Sequence, residues 1–464
     1  MIANVDQSDH MNASLRKLIE STRSGDWVTA NRIQVYAAIV FVLGLVMLGS
    51  LVATGDGIVD YQRRPLGTDF SNVYAAGKWV LAGRPEAPFD PALQHEMEKR
   101  VFGADTPFYG WHYPPVFLGI AALLALMPYV LSLVVWQAVT LALYLAVTRG
   151  IARKIPPLSV GGSERSEEPG GVRAPYAVPP PGRLRRPPSP NGGGMGSHWL
   201  LPALAFPAVL INVAHGQNGL LTAALLGGGL LLLDRRPVVA GILIALLCYK
   251  PQFGLLIPIV LIASGRWRVF AIAAATVAVA CALTWIAFGT NTWLAFRDSL
   301  EFTRVAVLEE GGTGFHKIQS AFAALRLWGA PVEIAYAAQA ATAVTVVVLL
   351  AILWRSRAAF ELQAVALLTG ALLATPYVLD YDLTLMAPAI GFFAAHGLDR
   401  GFHSYERSAL VFCWFAPLIA RTIGEQIGIP VGLIALFVLF ALALRRAAAE
   451  GGRQRALSAG DRLR

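Results

Sequence analysis

The stretch that decides the fold is the first long apolar run, residues 33–53, "IQVYAAIVFVLGLVMLGSLVA". It holds no charged residue, and as a helix it is long enough to cross the hydrocarbon core of a bilayer, which is about 30 Å thick. Similar runs recur along the 464 residues, of which 56% are hydrophobic and 14% are charged. A soluble domain carries about 25% charged residues. The sequence therefore predicts an all-α, polytopic integral membrane protein.

About twelve membrane spans are predicted from the apolar runs. They are residues 33–53, 131–150, 199–214, 219–233, 237–249, 252–264, 269–288, 334–354, 358–376, 383–397, 408–422 and 429–445. Several are shorter than the usual 20 or so residues and are interrupted by Pro or Gly, which is typical of helices that break around a site.

The segment 113–129, "YPPVFLGIAALLALMPY", decides the topology. Counted as a span, it would invert every later loop. Treated as re-entrant or interfacial, it leaves the basic loops on the side of the N-terminus: Arg149, Arg153, Lys154, Arg235, Arg236, Arg266, Arg268, Arg355, Arg357, Arg445 and Arg446. Because Lys and Arg concentrate in cytoplasmic loops, we predict that both termini are cytoplasmic and that 113–129 does not cross. The net charge of +9 is then explained by Lys and Arg in the cytoplasmic loops of a protein of the plasma (inner) membrane. We predict no nucleic-acid partner.

Three regions follow from this topology. We predict a cytoplasmic N-terminal segment at 1–32, a transmembrane domain at 33–446 and a cytoplasmic tail at 447–464. Within the domain, 54–130 forms an outer loop with interfacial helices, and 153–198 forms a cytoplasmic loop. Residues 155–197 hold ten Pro and nine Gly, a composition that cannot bury a core, so we predict that this stretch is disordered and has no role in a site.

Polar residues that apolar packing does not explain collect on the predicted outer face. They are Asp69, His112, the runs "HGQN" at 215–218 and "YKPQ" at 249–252, "FHKIQS" at 315–320 and "TPYVLDYD" at 375–382. Ionisable groups near membrane depth are costly and indicate function. The three cysteines have no metal-ligand spacing, and we predict no metal or cofactor.

Each of these residues also has a structural interpretation. Asp69 precedes a run with helical apolar spacing, "GTDFSNVYAAGKWVLAG" at 67–83, and could cap that helix. His215 and Gln217 could be interfacial residues, and Lys250 could extend its ammonium group to the lipid headgroups. His316 could be an ordinary loop residue, and Asp380 and Asp382 could be turn residues. What favours function is that acid, base and cation share one face.

At these residues the chain resembles glycosyltransferase family 87, within the C-type glycosyltransferase superfamily. The resemblance rests on "TDFSNVYAAGKWVLAG", "WHYPPVFLGIAALLALMPY" and the spacing from "GQNGLLTAALL" to "YKPQFGLLIPIVLI", and covers roughly residues 33–290. It implies a bundle of about twelve helices. It also implies transfer of a sugar, expected to be a hexose such as mannose, from a polyprenyl-phosphate donor to a lipid or glycan acceptor at the extracytoplasmic surface.

The resemblance also implies roles for individual residues. Asp69 matches the superfamily's first-loop catalytic acid and would take the acceptor proton. It would be held at the membrane surface by an amphipathic helix. His316 would support Asp69 or contact the phosphate. Lys250 would neutralise the lipid phosphate and matter for donor binding more than for folding. The further substrate-binding candidates are His112, Tyr113, His215, Gln217, Asn218, Gln252, Asp380 and Asp382, with Gln217 and Gln252 offered to sugar hydroxyls.

Two other classes of function remain open from the sequence. A transporter or flippase for a lipid-linked sugar would need a polar pathway to the cytoplasmic side. A non-catalytic partner in cell-envelope glycan assembly would tolerate loss of Asp69. The unusual polar residues lie on one predicted face, which favours the enzyme.

Overall fold

The computed structural model describes residues 3–154 and 199–461. The stretch 155–197, predicted to be disordered, lies outside the described residues. Over these two ranges the fold is all-helical, and the only β pairing is in isolated bridges. The helices are α1 Ala3–Ser24, α2 Ala30–Ala53, α3 Phe70–Leu81, α4 Pro91–Phe102, α5 Leu118–Ala125, α6 Tyr129–Ala152, α7 Leu200–Leu204, α8 Pro207–His215, α9 Gly219–Leu232, α10 Pro237–Ala245, α11 Ile257–Ala263, α12 Trp267–Phe302, α13 Ala321–Leu327, α14 Val332–Arg355, α15 Phe360–Leu373, α16 Met386–Arg400, α17 Glu406–Ile427 and α18 Val431–Asp461.

Six helical segments of the described chain are long and apolar enough to cross a membrane. They lie at Ala30–Ala53, Tyr129–Ala152, Trp267–Glu309, Val332–Arg355, Glu406–Ile427 and Val431–Gly452. The multi-pass membrane character is therefore confirmed, whereas the count of about twelve spans stays a prediction. The predicted end of the transmembrane domain at 446 is not a helix end, because α18 continues to Asp461.

The remaining predicted spans are short or broken helices, and proline accounts for much of this. The segment 199–214 divides into α7 and α8 just before Pro207, whose ring cannot continue the preceding helix. Helix α10 ends in a 3₁₀ turn at Leu246–Tyr249, and a second 3₁₀ turn starts at Pro251. Helix α12 is kinked at Gly289, where φ is 78°, and continues into a π-helical turn at Thr303–Glu309.

Side-chain contacts separate the loops into two groups, one at each end of the bundle. At one end, Tyr113 bonds Gln217, Tyr249 bonds the Asn218 carbonyl, and Lys250 bonds Asp382. At the opposite end, ion pairs join the helix termini through Lys154 and Glu361, Arg266 and Asp234, and Arg446 and Glu406. The polar runs singled out in the sequence lie in the first group.

Helix α5 is the centre of the ambiguous segment 113–129. It has eight residues and spans about 12 Å at 1.5 Å per residue, too little to cross a bilayer. It packs directly on α3, where a Cβ on Gly77 would lie 2.1 Å from the Ala121 carbonyl oxygen. Glycine at 77 therefore allows the two short helices to touch.

Helix α3 is enclosed by protein more completely than the amphipathic pattern predicted. Nine of its twelve residues are buried, including the polar Ser71 and Asn72. The expectation of a helix with one face on the bilayer surface is therefore wrong. The reason is α4, which covers the polar side: Gln94 donates to the Asn72 carbonyl at 3.0 Å, and Trp79 donates to the Leu93 carbonyl at 3.2 Å.

The predicted orientation can be tested with single cysteines. In a variant lacking the native Cys248, Cys281 and Cys413, we expect an impermeant thiol reagent to label Tyr61→Cys in intact cells. Tyr61 is 62% exposed in the loop after α2. Arg235→Cys, exposed at the other end of the bundle, should react only after the membrane is opened. If Arg235→Cys is labelled in intact cells and Tyr61→Cys is not, the protein has the opposite orientation and the prediction is wrong.

Candidate active site

A recessed, partly open cavity of about 90 Å³ lies among the loops at the first end of the bundle. It is large enough for several water molecules. Its walls are Asp69, Asn72, Tyr109, His112, Tyr113, Gln217, Tyr249, Lys250, Gln252, Thr313, Tyr377, Leu379 and Tyr381. The cavity thus brings together six of the predicted site residues: Asp69, His112, Tyr113, Gln217, Lys250 and Gln252.

Asp69 points into this cavity and does not cap α3. It occupies the N-cap position, but its carboxylate makes no capping hydrogen bond. Oδ2 instead accepts a hydrogen bond from Gln217 Nε2 at 2.7 Å, and the Asp69 backbone N–H donates to the His215 carbonyl at 3.1 Å. The capping interpretation is therefore wrong.

Gln217 is held so that it orients Asp69. Its Oε1 accepts from the Tyr113 hydroxyl at 3.4 Å and from the Asn218 backbone N–H at 3.3 Å, which leaves Nε2 directed at the carboxylate. The chain reaches this position because α8 ends at Gly216, which has φ of 64°. A Cβ there would lie 2.5 Å from Phe70 Cβ, so the turn requires glycine.

Lys250 and Asp382 form a buried ion pair at 2.7 Å, with side chains 5% and 2% exposed. The second oxygen of Asp382 accepts from the Leu379 backbone N–H at 3.0 Å. Lys250 therefore does not extend to lipid headgroups. Removing one partner of a buried pair leaves the other charge uncompensated, so we expect Lys250 to matter for folding as well as for donor binding.

Asp380 and His316 lie in a neighbouring cluster that does not line the cavity. Asp380 is buried and pairs with Arg421 of α17 at 2.7 Å. His316 packs on the same helix, where its Cβ lies 3.3 Å from a Cβ built on Gly424. Its ring makes no hydrogen bond to Asp69 among the described residues. Burial lowers the pKa of His316, as do the nearby Lys317 and Arg421, which disfavours a protonated ring.

The other predicted histidines and Asn218 are fixed by the protein. His215 Nδ1 lies 2.6 Å from Thr68 Oγ1, and His112 Nδ1 lies 2.9 Å from Thr303 Oγ1. Burial lowers the pKa of His112 to about 4, so the ring is neutral at physiological pH. Asn218 is buried at the start of α9, where its backbone N–H donates to Gln217 Oε1.

Several cavity residues were missed by the sequence reasoning. Tyr249, Tyr377 and Tyr381 stand inside the quoted polar runs, and Asn72 stands inside the quoted stretch 67–83. Thr313 lies two residues before "FHKIQS". Proximity to charged residues in the sequence was therefore a usable signal for these residues. Tyr109 carried no comparable signal. Nor did Glu98 of α4, whose Oε2 accepts from the Tyr109 backbone N–H at 3.2 Å and so holds this wall of the cavity.

Glu98 predicts a specific pH dependence of stability. Burial raises its pKa from 4.5 to about 7. The folded state therefore binds more protons at Glu98 than the unfolded state between these values, so the contribution of Glu98 to stability is fully present below about pH 4.5 and is lost as the pH rises to about 7. The full loss of this contribution is about 3 kcal/mol.

We expect Glu98→Gln to reduce the decrease in unfolding free energy between about pH 4.5 and about pH 7, measured in detergent. Glu96→Gln, on the same helix and 47% exposed, is the control; an unchanged slope in Glu98→Gln would contradict the assignment.

The helical membrane architecture, with a polar cavity enclosed by loops at one end, defines a polytopic membrane protein with an internal site for a polar ligand. A sequence model of glycosyltransferase family 87 matches residues 111–376, more than half of the chain. The chain belongs to glycosyltransferase family 87 and is a membrane glycosyltransferase. No curated protein and no solved structure matches it.

The matched range differs from the 33–290 inferred from the sequence, since it begins later and extends further. It contains His112, Tyr113, His215, Gln217, Asn218, Lys250, Gln252 and His316. Asp69 lies before it, and Asp380 and Asp382 lie after it. The connection of Asp69 to the family's segment therefore rests on its hydrogen bond to Gln217 and on the cavity they share.

Proposed function

We propose that the protein transfers a hexose such as mannose from a polyprenyl-phosphate donor to a hydroxyl of a lipid or glycan, with Asp69 as the general base. One observation carries this proposal. The Asp69 carboxylate lies in a recessed cavity lined largely by polar side chains, with Oδ2 held by Gln217 and Oδ1 making no hydrogen bond within the described ranges. A fixed carboxylate with one free oxygen is what proton abstraction from an acceptor hydroxyl requires.

The reaction follows from that arrangement. The acceptor oxygen attacks the anomeric carbon of the donor sugar, and the bond from that carbon to the phosphate oxygen breaks. The polyprenyl phosphate leaves with the electron pair, while the acceptor proton passes to Asp69 Oδ1. Gln217 keeps the carboxylate in position during the transfer, because its other hydrogen bonds fix its amide.

The leaving phosphate requires positive charge. Lys250 lines the cavity, but Asp382 already neutralises it. Lys317, in the loop that carries His316, is half-buried and forms no ion pair within the described chain. Burial and the neighbouring Arg421 lower the pKa of Lys317, whereas Asp380 and Asp69 raise it, so these charges lie within electrostatic range of one another. We therefore assign the phosphate to Lys317 together with Lys250.

The basic loops at the opposite end of the bundle favour a cytoplasmic location for that end. The cavity then opens towards the extracytoplasmic face of the cell membrane, where a lipid-linked sugar would serve as donor.

The test of the proposed donor is a comparison of sugar sources. Purified protein in nanodiscs containing a membrane lipid extract is given labelled polyprenyl-phosphate mannose or labelled nucleotide-linked mannose. We expect label in new glycolipids only from the polyprenyl-phosphate donor. Transfer from the nucleotide sugar in discs free of polyprenyl phosphate would overturn the assignment of the donor.

A further inference from the structure

Asn72 is a buried polar residue whose side-chain oxygen has no hydrogen-bond partner among the described residues. It lies on α3, three residues after Asp69, and lines the same cavity. Its exposed fraction is 5%, and Oδ1 is buried without a hydrogen bond to any part of the chain that the structure describes. The residue's backbone is firmly placed, since its carbonyl accepts from Gln94 Nε2 at 3.0 Å.

An unpaired buried amide oxygen needs a physical reason, because nearly all buried polar atoms in proteins have a hydrogen-bond partner. A second such atom, Thr313 Oγ1, belongs to another wall of the cavity. Two residues that line one cavity thus each carry a buried polar atom without a partner among the described residues, and a ligand bound there would supply the missing hydrogen bonds. The partner of an amide oxygen must be a donor, and a hydroxyl is the donor that a sugar supplies.

The remaining walls suit a sugar ring. Five of the thirteen cavity residues are tyrosines: Tyr109, Tyr113, Tyr249, Tyr377 and Tyr381. Tyrosine offers a flat apolar face and a polar tip. A pyranose has C–H faces that pack on such rings and hydroxyls around its edge that reach polar groups between them.

We infer that Asn72 is a specificity-determining residue, which accepts a hydrogen bond from one hydroxyl of the transferred sugar. Residues three apart on a helix have Cβ atoms about 5–6 Å from each other. A pyranose can therefore contact Asn72 at one hydroxyl while its anomeric carbon lies beside Asp69. This inference rests on the proposed function and adds the element that selects the sugar.

The test uses donors that each lack one hydroxyl. Wild-type protein in nanodiscs is given polyprenyl-phosphate hexose and its monodeoxy analogues, and kcat/KM is measured for each. We expect one analogue to lose about 10- to 100-fold in wild type, because Oδ1 is then left unpaired. Asn72→Leu, of similar size, should lose activity with the parent sugar and treat that analogue and the parent alike.

Ser132→Ala is the matched control. Ser132 Oγ is also buried and has no hydrogen-bond partner in the described ranges, but it lies on α6 and does not line the cavity. This variant should therefore keep the wild-type discrimination. If wild type transfers the sugar but treats every deoxy analogue like the parent, or if Asn72→Leu keeps the discrimination, the role of Asn72 is wrong and the proposed function stands. If wild type transfers nothing from any polyprenyl-phosphate donor, the proposed function fails and the inference fails with it.

Discussion

Asp69→Asn is expected to lower sugar transfer by about 10²-fold or more while leaving the unfolding free energy unchanged. Asparagine keeps the shape of the side chain and can still accept the hydrogen bond from Gln217 Nε2, but it cannot take a proton as a carboxylate does. The measurement is initial rate of transfer from polyprenyl-phosphate mannose by purified variants in nanodiscs, together with thermal unfolding of the same samples.

Asp90→Asn is the matched control for that loss. Asp90 lies in the same loop region and caps α4, with its carboxylate accepting from the backbone N–H groups of Ala92 and Leu93. Asparagine caps a helix as well as aspartate does, so this variant should transfer sugar at the wild-type rate. If Asp69→Asn transfers sugar at the wild-type rate, Asp69 is not the general base, and His316, Asp380 and Asp382 become the candidates.

Lys250→Met is expected to destabilise the protein by about 3–5 kcal/mol, since it leaves the buried Asp382 carboxylate without its charged partner. Asp382→Asn should cost a similar amount. The double variant Lys250→Met with Asp382→Asn should recover most of the loss, because no uncompensated charge remains. Unfolding free energies from denaturant titration in detergent form the double-mutant cycle.

Lys154→Met provides the comparison. Lys154 pairs with Glu361 at 3.1 Å, but both side chains are more than a quarter exposed, so its loss should cost at most about 1 kcal/mol. Two independent destabilisations in the cycle, with no recovery in the double variant, would show that Lys250 and Asp382 do not depend on each other.

The sequence was informative about helices and about which loops share an end of the bundle. Long apolar runs predict membrane and core helices directly. Because each span crosses the membrane once, every second loop lies on the same side. For this reason "HGQN" and "YKPQ" could be placed on the same face as Asp69 without a structure. The break of 199–214 into two helices was not predicted, although Pro207 offered a local signal for it.

Pairings across long sequence separations could not be predicted. Lys250 and Asp382 are 132 residues apart, and Arg421 and Asp380 are 41 apart. Which charges meet depends on how the helices pack, and periodicity does not report this. The enclosure of α3 was missed for the same reason, because the residues of α4 that cover it form a separate amphipathic helix with no sequence signal for its partner.

The most direct test of the account follows the sugar itself. Wild-type protein is reconstituted into liposomes with a membrane lipid extract and polyprenyl-phosphate hexose carrying an isotopic label, and the lipids are examined by mass spectrometry. The account predicts acceptor lipids heavier by one labelled hexose, released polyprenyl phosphate in equal amount, and neither product with Asp69→Asn. Intact labelled donor that has moved to the opposite leaflet, with no labelled acceptor formed, would contradict it and identify a transporter.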